Sequence, residues 1–316
     1  MKKLRIFTKQ GKVLATIIGI ITLLSLIVTF SNNPNVPKWE DIFNWCKVPI
    51  SSEKSSNGSN NDKLYVDFVD VGKADCSYIR YKNYNILIDA GDIDAKEKIL
   101  NYLEKNKVSK LDMIIVSHPH RDHIGTMPEV INKCAINRFL MFELSESILP
   151  HFRVYSRMES NLKNKNIRVE TPKNNSEINF EGIKFKFFTP KEEYKNVNDN
   201  SIVTKLTYNN ISFLFTGDIQ KNREKDMISD AADVQATVIK VPHHGSGTSS
   251  SPEFLKVVRP KFAVVPIGPN KNRLPSYKIL KQYERSNIKL YRTDECGTVS
   301  AITDGNEITF NTEKVS

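Results

Sequence analysis

Cysteine and histidine are scarce in this chain of 316 residues, which contains four cysteines and six histidines. The four cysteines, Cys46, Cys76, Cys134 and Cys296, include no C-x-x-C pair, so the spacing of a zinc knuckle or a dithiol redox motif is absent. The sequence favours buried thiols over any particular disulfide. Histidine, in contrast, is concentrated: five of the six residues lie in two short segments, each after an apolar run.

Acidic residues are absent from the first twelve positions, where five basic residues precede an apolar run from Val13 to Phe30. Eighteen residues at about 1.5 Å each reach about 27 Å, close to the ~30 Å thickness of a membrane hydrocarbon core. No A-x-A pattern follows the run, which favours a signal anchor over a cleaved signal peptide. Because the basic flank favours a cytoplasmic N-terminus, we expect a single-pass protein of the cell membrane with its later residues outside the cell. Secretion after signal cleavage is the alternative.

The composition predicts four regions in chain order. They are a cytoplasmic basic tail at 1–12, a transmembrane anchor at 13–30, an extracellular linker at 31–62 and one catalytic domain at 63–316. Within the last region, strand patterns first occur close together and then alternate with helical stretches. This order predicts an α/β domain in which two sheets lie between helices.

The densest group of candidate metal ligands lies in Ser117–His123, directly after the apolar run Met113–Val116. Its candidate ligands are His118, His120, Asp122 and His123. Neutral imidazole nitrogens and carboxylate oxygens suit Zn²⁺ or Mn²⁺, and a strand end gives them a rigid base. A polar loop that is rich in histidine by chance is the alternative.

Two later segments also place candidate ligands after apolar runs. His243 and His244 follow Ala236–Lys240, and Asp218 follows Phe213–Phe215 by three positions. Side chains from three strand ends can enclose two metal ions, with one carboxylate placed to bridge them. The sequence therefore predicts a binuclear metal site.

These segments resemble known motifs in order along the chain. The run HPHRDH resembles the HxHxDH signature of the metallo-β-lactamase superfamily, while TGD and VPHHGS resemble the later ligand motifs of its ComEC-type branch. Further similar segments are Val66–Asp75 (FLDVGQGD in the family), Leu87–Gly91 (LIDxG), Asn200-Ser201 (NxS) and Arg292–Val299 (TDxxGtV). The resemblance covers residues 63 to 312 and implies a metallo-β-lactamase-like αββα sandwich. The branch includes the nuclease domain of competence proteins and secreted phosphodiesterases.

The resemblance also implies which residues hold two divalent ions, Zn or Mn. His118 and His120 would hold one ion, Asp122, His123 and His244 would hold the other, and Asp218 would bridge them. His244 is favoured over its neighbour as the ligand because VPHHG aligns with the superfamily's PGHG at its second histidine.

Catalytic and substrate-binding roles follow from the chemistry that such a site would perform on a phosphodiester. The catalytic set would be Asp122, His243 and Asp218, with His243 as the acid that protonates the leaving group. The substrate-binding set would be Asn200, Ser201, Gly245 and Ser246.

Two segments depart from the family pattern. Many members have a histidine in the region of Asn196–Asn200, where this chain has asparagine, so one metal would lack a protein ligand and be open to water or substrate. In Asn272–Ser276 the chain has leucine where the family usually has the histidine of NxxGHPS. Any role of that histidine in substrate specificity would be absent here.

Phosphodiester hydrolysis is the reaction that best matches such a site. Two adjacent divalent ions supply a nucleophile near neutral pH and neutralise charge that develops on a phosphate. The net charge is +10, and the basic segment Arg153–Lys173 would either guide DNA or another phosphodiester polymer to the site or form a solvated helix face. We therefore predict a membrane-anchored, extracytoplasmic phosphodiesterase or DNase, with no protein partner inferred. The alternatives are hydrolysis of a lactam, lactone or thioester, and capture of a polyanion without catalysis.

Overall fold

The computed structural model describes residues 63–314, and Thr22, Ser25, Val28, Thr29, Val36 and Pro37 before them. The predicted tail, most of the predicted membrane anchor and most of the linker lie outside the described residues and remain predictions. Among the described residues, no helix is long and apolar enough to cross a membrane. Residues 60–316 form one compact unit.

Most strands of this unit belong to two large sheets. The strands are β1 (Leu64–Phe68), β2 (Ser77–Tyr81), β3 (Tyr84–Ile88), β4 (Lys110–Leu111), β5 (Met113–Val116), β6 (Ala135–Ile136), β7 (Phe139–Met141), β8 (Val169–Glu170), β9 (Glu177–Phe180), β10 (Ile183–Phe188), β11 (Val203–Tyr208), β12 (Ile211–Phe215), β13 (Val238–Lys240), β14 (Phe262–Val265), β15 (Lys289–Arg292), β16 (Val299–Thr303) and β17 (Ile308–Thr312). The first sheet has the order β17-β16-β1-β2-β3-β5-β7-β8, and the second has the order β15-β14-β13-β12-β11-β10-β9. A small separate pair joins β4 to β6.

The helices connect the strands and carry apolar residues at helical spacing. They are α1 (Lys96–Lys105), α2 (Arg121–Ile124), α3 (Met127–Lys133), α4 (Arg153–Asn164), α5 (Lys221–Ser229), α6 (Pro252–Val258), α7 (Tyr277–Arg285) and α8 (Thr293–Cys296). In α4, Val154, Met158 and Leu162 recur every four residues and are buried, which places one face of the helix on the first sheet. Short 3-10 helices lie at Ile93–Ala95, Val197–Asn200 and Pro242–Gly245.

Three layers of buried apolar side chains hold the unit together. The layer between the sheets includes Phe68, Phe185, Phe213, Phe215 and Val264. One outer layer joins the first sheet to α1, α3 and α4, and the other joins the second sheet to α5, α6 and α7. This arrangement confirms the predicted αββα sandwich.

The thiols of Cys76, Cys134 and Cys296 are free and buried, in line with the expectation of buried thiols. Cys46 lies outside the described residues.

The carboxyl ends of several parallel strands are the feature that positions the site. In the first sheet β3, β5 and β7 run parallel, and in the second sheet β12, β13, β14 and β15 do so. Parallel neighbours end at the same edge of a sheet, and ligands typically bind there. The segments after β5, β12 and β13 are the ones that carry the predicted metal ligands.

Candidate metal centre

The turn after β12 depends on a glycine that lies close to the first ligand segment. Gly217 has φ +52°, and a Cβ atom there would lie 2.7 Å from Ser201 Oγ and 3.0 Å from Ser117 Cβ. Because a side chain would be both strained and crowded, glycine suits this position best. The close approach brings Asp218 opposite the residues that follow β5.

The turn after β13 has an unusual backbone. His243 and His244 have φ values of 51° and 50°, in the left-handed region that residues with a Cβ rarely adopt. Such conformations cost about 1–3 kcal/mol each and persist where the surrounding structure holds them. Here the strained turn directs His244 inwards, fully buried, and leaves the side chain of His243 22% exposed.

Four predicted ligands converge on one point. His123 Nε2 lies 3.4 Å from Asp218 Oδ2, and His244 Nε2 lies 3.4 Å from Asp122 Oδ2 and 3.7 Å from Asp218 Oδ2. One donor atom from each of these four residues lies within 4.8 Å of all the others. The structure therefore brings together the set that was assigned to the second metal, including the carboxylate that was predicted to bridge.

Two buried nitrogen atoms in this group make no hydrogen bond within the described residues. They are Nε2 of His123 and Nε2 of His244, and both rings are fully buried. A buried polar atom without a partner costs about 1–3 kcal/mol, and a divalent ion about 2.0–2.2 Å from each donor would satisfy both. The donor set of two imidazoles and two carboxylates thus fits a divalent metal.

The opposite nitrogen of each imidazole is fixed by a second partner. His123 Nδ1 lies 2.8 Å from Asp89 Oδ2, and His244 Nδ1 lies 2.9 Å from the carbonyl oxygen of Pro266. Asp89 also accepts hydrogen bonds from the backbone N–H and the hydroxyl of Ser117. Such partners set the tautomer and orientation of a metal-binding imidazole, so that Nε2 faces the ion. Asp89 is therefore a brace for the ligand segment.

The charges in this group reinforce one another. Burial by itself would lower the pKa of His123, but the carboxylates of Asp218 and Asp89 outweigh burial and raise it. Burial opposes ionisation of Asp218, but the imidazoles of His123 and His244 hold its pKa well below the usual value. The two carboxylate ligands, Asp122 among them, are therefore ionised at neutral pH.

The other predicted pair of ligands lies beside this group. His118 Nε2 and His120 Nδ1 are 3.0 Å apart, and the rings of His118 and His123 have centroids 4.1 Å apart. Burial lowers the pKa of both His118 and His120, so both rings are neutral and able to bind a metal. Their assignment to a separate ion stays a prediction.

Asn198 is a further oxygen donor at this pair that the sequence analysis did not assign. It is buried, it interacts with His120, and its Oδ1 makes no hydrogen bond of good geometry within the described residues. It belongs to the segment in which the family histidine is replaced by asparagine. Asn198 therefore lies beside His120, in the segment where the missing ligand was expected.

His243 is separate from the convergent group, as the resemblance implied. Its Nε2 lies 3.9 Å from Asp218 Oδ2, and its Nδ1 lies 3.2 Å from the hydroxyl of Thr248. Burial lowers the pKa of His243, although Asp218 opposes the shift. The position of this ring at the edge of the centre fits a contact with substrate, and its role as an acid stays a prediction.

Two of the residues predicted to bind substrate have other contacts. The Asn200 side chain bonds to the backbone N–H and C=O of Tyr194, and Ser201 Oγ donates to Asn198 O and accepts from the Asp218 N–H. Both residues are buried. Their side chains therefore brace the segments around the predicted ligands, and their assignment to substrate binding stays a prediction.

The other two predicted substrate-binding residues lie in the turn after His244. Gly245 is buried, and its carbonyl oxygen accepts a hydrogen bond from Ser276 N–H at 2.9 Å. The N–H of Ser246 donates to the carbonyl oxygen of His243, so this amide is not free for a phosphate oxygen. The Ser246 hydroxyl is half-buried and contacts Thr248 Oγ1 at 2.9 Å, which leaves the hydroxyl as the candidate substrate contact.

Three charged residues that lie behind and beside the centre were not predicted as part of the site from the sequence: Lys240, Asp75 and Lys73. Lys240 is buried and contacts Asp75, the carbonyl oxygen of Gly217 and, at 3.6 Å, Asp218 Oδ1. Lys73 Nζ lies 2.7 Å from Asp122 Oδ2, with 27% of its side chain exposed. The sequence did contain a signal for Lys240, since a lysine within an apolar run before a predicted ligand segment indicates a buried charge that needs a partner.

The basic segment that was considered as a guide for polyanions is partly used inside the fold. Arg157 pairs with Glu129 at 2.7 Å, and Lys165 Nζ donates to the carbonyl oxygens of Ile131 and Asn132. These contacts hold α4 against α3. The structure therefore favours a packing role for these two charges.

Comparison with protein-family models gives a match to the Metallo-beta-lactamase superfamily over residues 69–268. ComE operon protein 3 of Bacillus subtilis (strain 168) is 26% identical over 261 residues, and the match covers 74% of this chain and 32% of the relative. Competence protein ComA of Neisseria gonorrhoeae is 27% identical over 235 residues, with 73% and 31% covered. The chain thus spans about a third of the length of these relatives.

A similar fold occurs in a solved structure. The metallo-beta-lactamase fold protein YhfI from Bacillus subtilis aligns with a TM-score of 0.51 at 11% identity, over 76% of this chain and 99% of YhfI. At this identity the likeness concerns the fold alone.

Proposed function

Because the chain belongs to the ComEC-type branch of the metallo-β-lactamase superfamily, we propose that it is a membrane-anchored, extracytoplasmic phosphodiesterase or nuclease that uses two divalent ions, Zn or Mn. The metal dependence rests on the convergent group of Asp122, His123, Asp218 and His244. The anchor and the location outside the cell rest on the basic, then apolar, N-terminal sequence. The competence-protein relatives favour a nucleic acid as the substrate.

The observation that carries the choice of a phosphodiester is the charge of the site. Four carboxylates, Asp75, Asp89, Asp122 and Asp218, and two ammonium groups, Lys73 and Lys240, lie in it. Even with all four carboxyl groups ionised, these groups leave an excess of no more than two negative charges, which two divalent ions would turn into an excess of at least two positive charges. An anionic phosphodiester suits such a site better than an uncharged lactone or thioester, since electrostatic attraction is strong where water is partly excluded.

The chain's own residues have distinct parts in this proposal. When bound, two divalent ions supply a nucleophile near neutral pH and neutralise charge on the phosphate. Asp89 and the Pro266 carbonyl oxygen keep the ligand rings oriented, and Lys73 adds a positive charge beside Asp122. His243, at the edge of the centre, would donate a ring N–H to an oxygen of the substrate.

The proposal is tested with the purified full-length chain in detergent. We would measure hydrolysis of bis-p-nitrophenyl phosphate, single-stranded DNA, duplex DNA, a neutral lactone and a β-lactam, each with Mn²⁺, with Zn²⁺ and with a chelator. We expect metal-dependent hydrolysis of the phosphodiesters and little of the lactone. Faster hydrolysis of the lactone or β-lactam than of any phosphodiester would overturn the proposal, as would metal-loaded protein that hydrolyses none of them.

A further inference from the structure

The loop between β14 and α7 presents two basic side chains to solvent. Lys271 and Arg273 are exposed, and neither forms an ion pair within the described residues, whereas Lys281 on α7 pairs with Glu284 at 2.6 Å. The loop is closed by Asn270, whose side chain donates to the carbonyl oxygen of Leu274 at 2.8 Å and accepts from its N–H at 2.9 Å. Lys271 and Arg273 therefore lie in a loop that these two hydrogen bonds hold closed.

This loop is attached to the metal centre on both sides. At its start, a Cβ atom on Gly268 would lie 2.5 Å from Gly72 Cα, so the loop touches the turn that carries Lys73. At its end, Ser276 N–H donates to the carbonyl oxygen of Gly245, the residue after the ligand His244. The two ends of the loop thus contact the turns that carry Lys73 and His244, and the loop includes the segment where the family histidine is replaced.

An exposed aromatic ring follows the same loop. Tyr277, the first residue of α7, has 73% of its surface exposed, more than any other large hydrophobic residue that is exposed in the described part of the chain. Lys281 Nζ lies 5.7 Å from the centre of the ring. Proteins that bind single-stranded nucleic acid stack bases on exposed aromatic rings and contact phosphates with cations, and Tyr277 follows the unpaired Arg273 by four positions in the sequence.

We propose that Lys271, Arg273 and Tyr277 form a docking surface for single-stranded nucleic acid that leads one strand to the metal centre. The cations contact backbone phosphates, and the Tyr277 ring stacks on a base. This inference rests on the proposed phosphodiesterase function, because it names the substrate class of the same site. A duplex would keep its bases stacked inside, and a phosphodiester polymer without bases would have nothing to stack on the ring.

Binding is measured separately from hydrolysis, by fluorescence anisotropy of a labelled oligothymidylate and of an abasic oligonucleotide of equal length, with the full-length chain on ice. Tyr277→Ala should weaken binding of oligothymidylate by roughly 5- to 150-fold and leave the abasic strand bound as before. Tyr277→Phe, which keeps the ring, should bind oligothymidylate like the parent. Changing both Lys271 and Arg273 to Gln should weaken both ligands equally and reduce the slope of log affinity against log salt by about 1.4.

A matched control is Lys107→Gln. Lys107 is exposed, has φ +56° like Arg273, and lies before β5, away from the strand ends that carry the ligands, so its replacement should change neither binding curve. Equal losses for both strands in Tyr277→Ala, or no loss, would overturn the proposal. So would competition by poly(glycerol phosphate) as strong as that by oligothymidylate. Base-dependent binding without any hydrolysis would support the docking surface and contradict the proposed phosphodiester hydrolysis.

Discussion

Lys240 and Asp75 form an ion pair directly behind the candidate metal centre, with 3% and 4% of their side chains exposed. Asp75 Oδ1 lies 3.5 Å from His244 Nδ1, and Lys240 Nζ lies 3.6 Å from Asp218 Oδ1. The pair therefore connects the turn that follows β1 to the ligands that follow β12 and β13. Two opposite charges at this depth depend on each other, because neither can be hydrated.

Lys240→Met should lower the free energy of unfolding by about 3–5 kcal/mol, since Asp75 is left as an unpaired buried charge. Chemical denaturation of the purified chain measures this loss. The double variant with Asp75→Leu removes both charges and should regain part of the stability. Removing one partner of a buried ion pair leaves an unpaired charge, whereas two apolar side chains can replace the whole pair at little cost. A single variant as stable as the parent would show that the pair is not needed.

Replacing two neighbouring histidines should have different effects on the metal content of the chain. We expect about two divalent ions per chain in the parent. His244→Ala should lose metal, since it removes a buried donor from the convergent group, whereas His243→Ala, the matched control at the next position, should retain it. Asp218→Ala should lose metal and activity together. Elemental analysis gives these contents, and greater loss in His243→Ala would reverse the two roles.

The stability contributed by Glu224 should depend on pH. This residue of α5 is buried and accepts hydrogen bonds from the backbone N–H groups of Ser250 and Ser251, and burial raises its pKa although these bonds oppose the shift. The folded chain then holds this proton more tightly than the unfolded chain, so stability is lost as pH rises from the ordinary value of about 4.3 through the raised one. Glu224→Gln removes the titrating group.

The advantage of the parent over Glu224→Gln in unfolding free energy should therefore shrink between pH 4 and pH 7. Denaturation curves at both pH values give the comparison. Asn222→Gln, an exposed change on α5 that involves no titrating group, is the control that should keep a constant difference. An advantage that grows with pH would contradict the raised pKa.

The orientation of the chain in the membrane is a prediction from the N-terminal sequence alone. Protease added to intact cells should remove the domain. Replacing Lys2, Lys3 and Arg5 with acidic residues should reduce the fraction of chains that the protease cleaves. A cytoplasmic protein expressed in the same cells is the control for lysis. Full protection of the domain in intact cells would contradict the predicted orientation.

The sequence predicted the residues of the convergent group because they lie in short segments at strand ends, where periodicity and residue chemistry can be read locally. Lys240 and Asp75 could not be paired in this way, because 165 positions separate them. Asn200 shows a second limit of local patterns, since the sequence did not predict that this polar side chain would hydrogen-bond to the backbone of Tyr194. Local patterns predict which chemistry is present, and only the folded contacts reveal which polar groups remain free for it.

Lys73 has a consequence for how the centre takes up metal. Its ammonium group lies 2.7 Å from Asp122 Oδ2, on the oxygen that also faces His244. An arriving ion would therefore share this carboxylate with a resident cation, so it would enter a site whose negative charge is already partly balanced. The ammonium group of Lys73 thereby offsets part of the repulsion between the carboxylates of Asp122 and Asp218, which the fold brings close together.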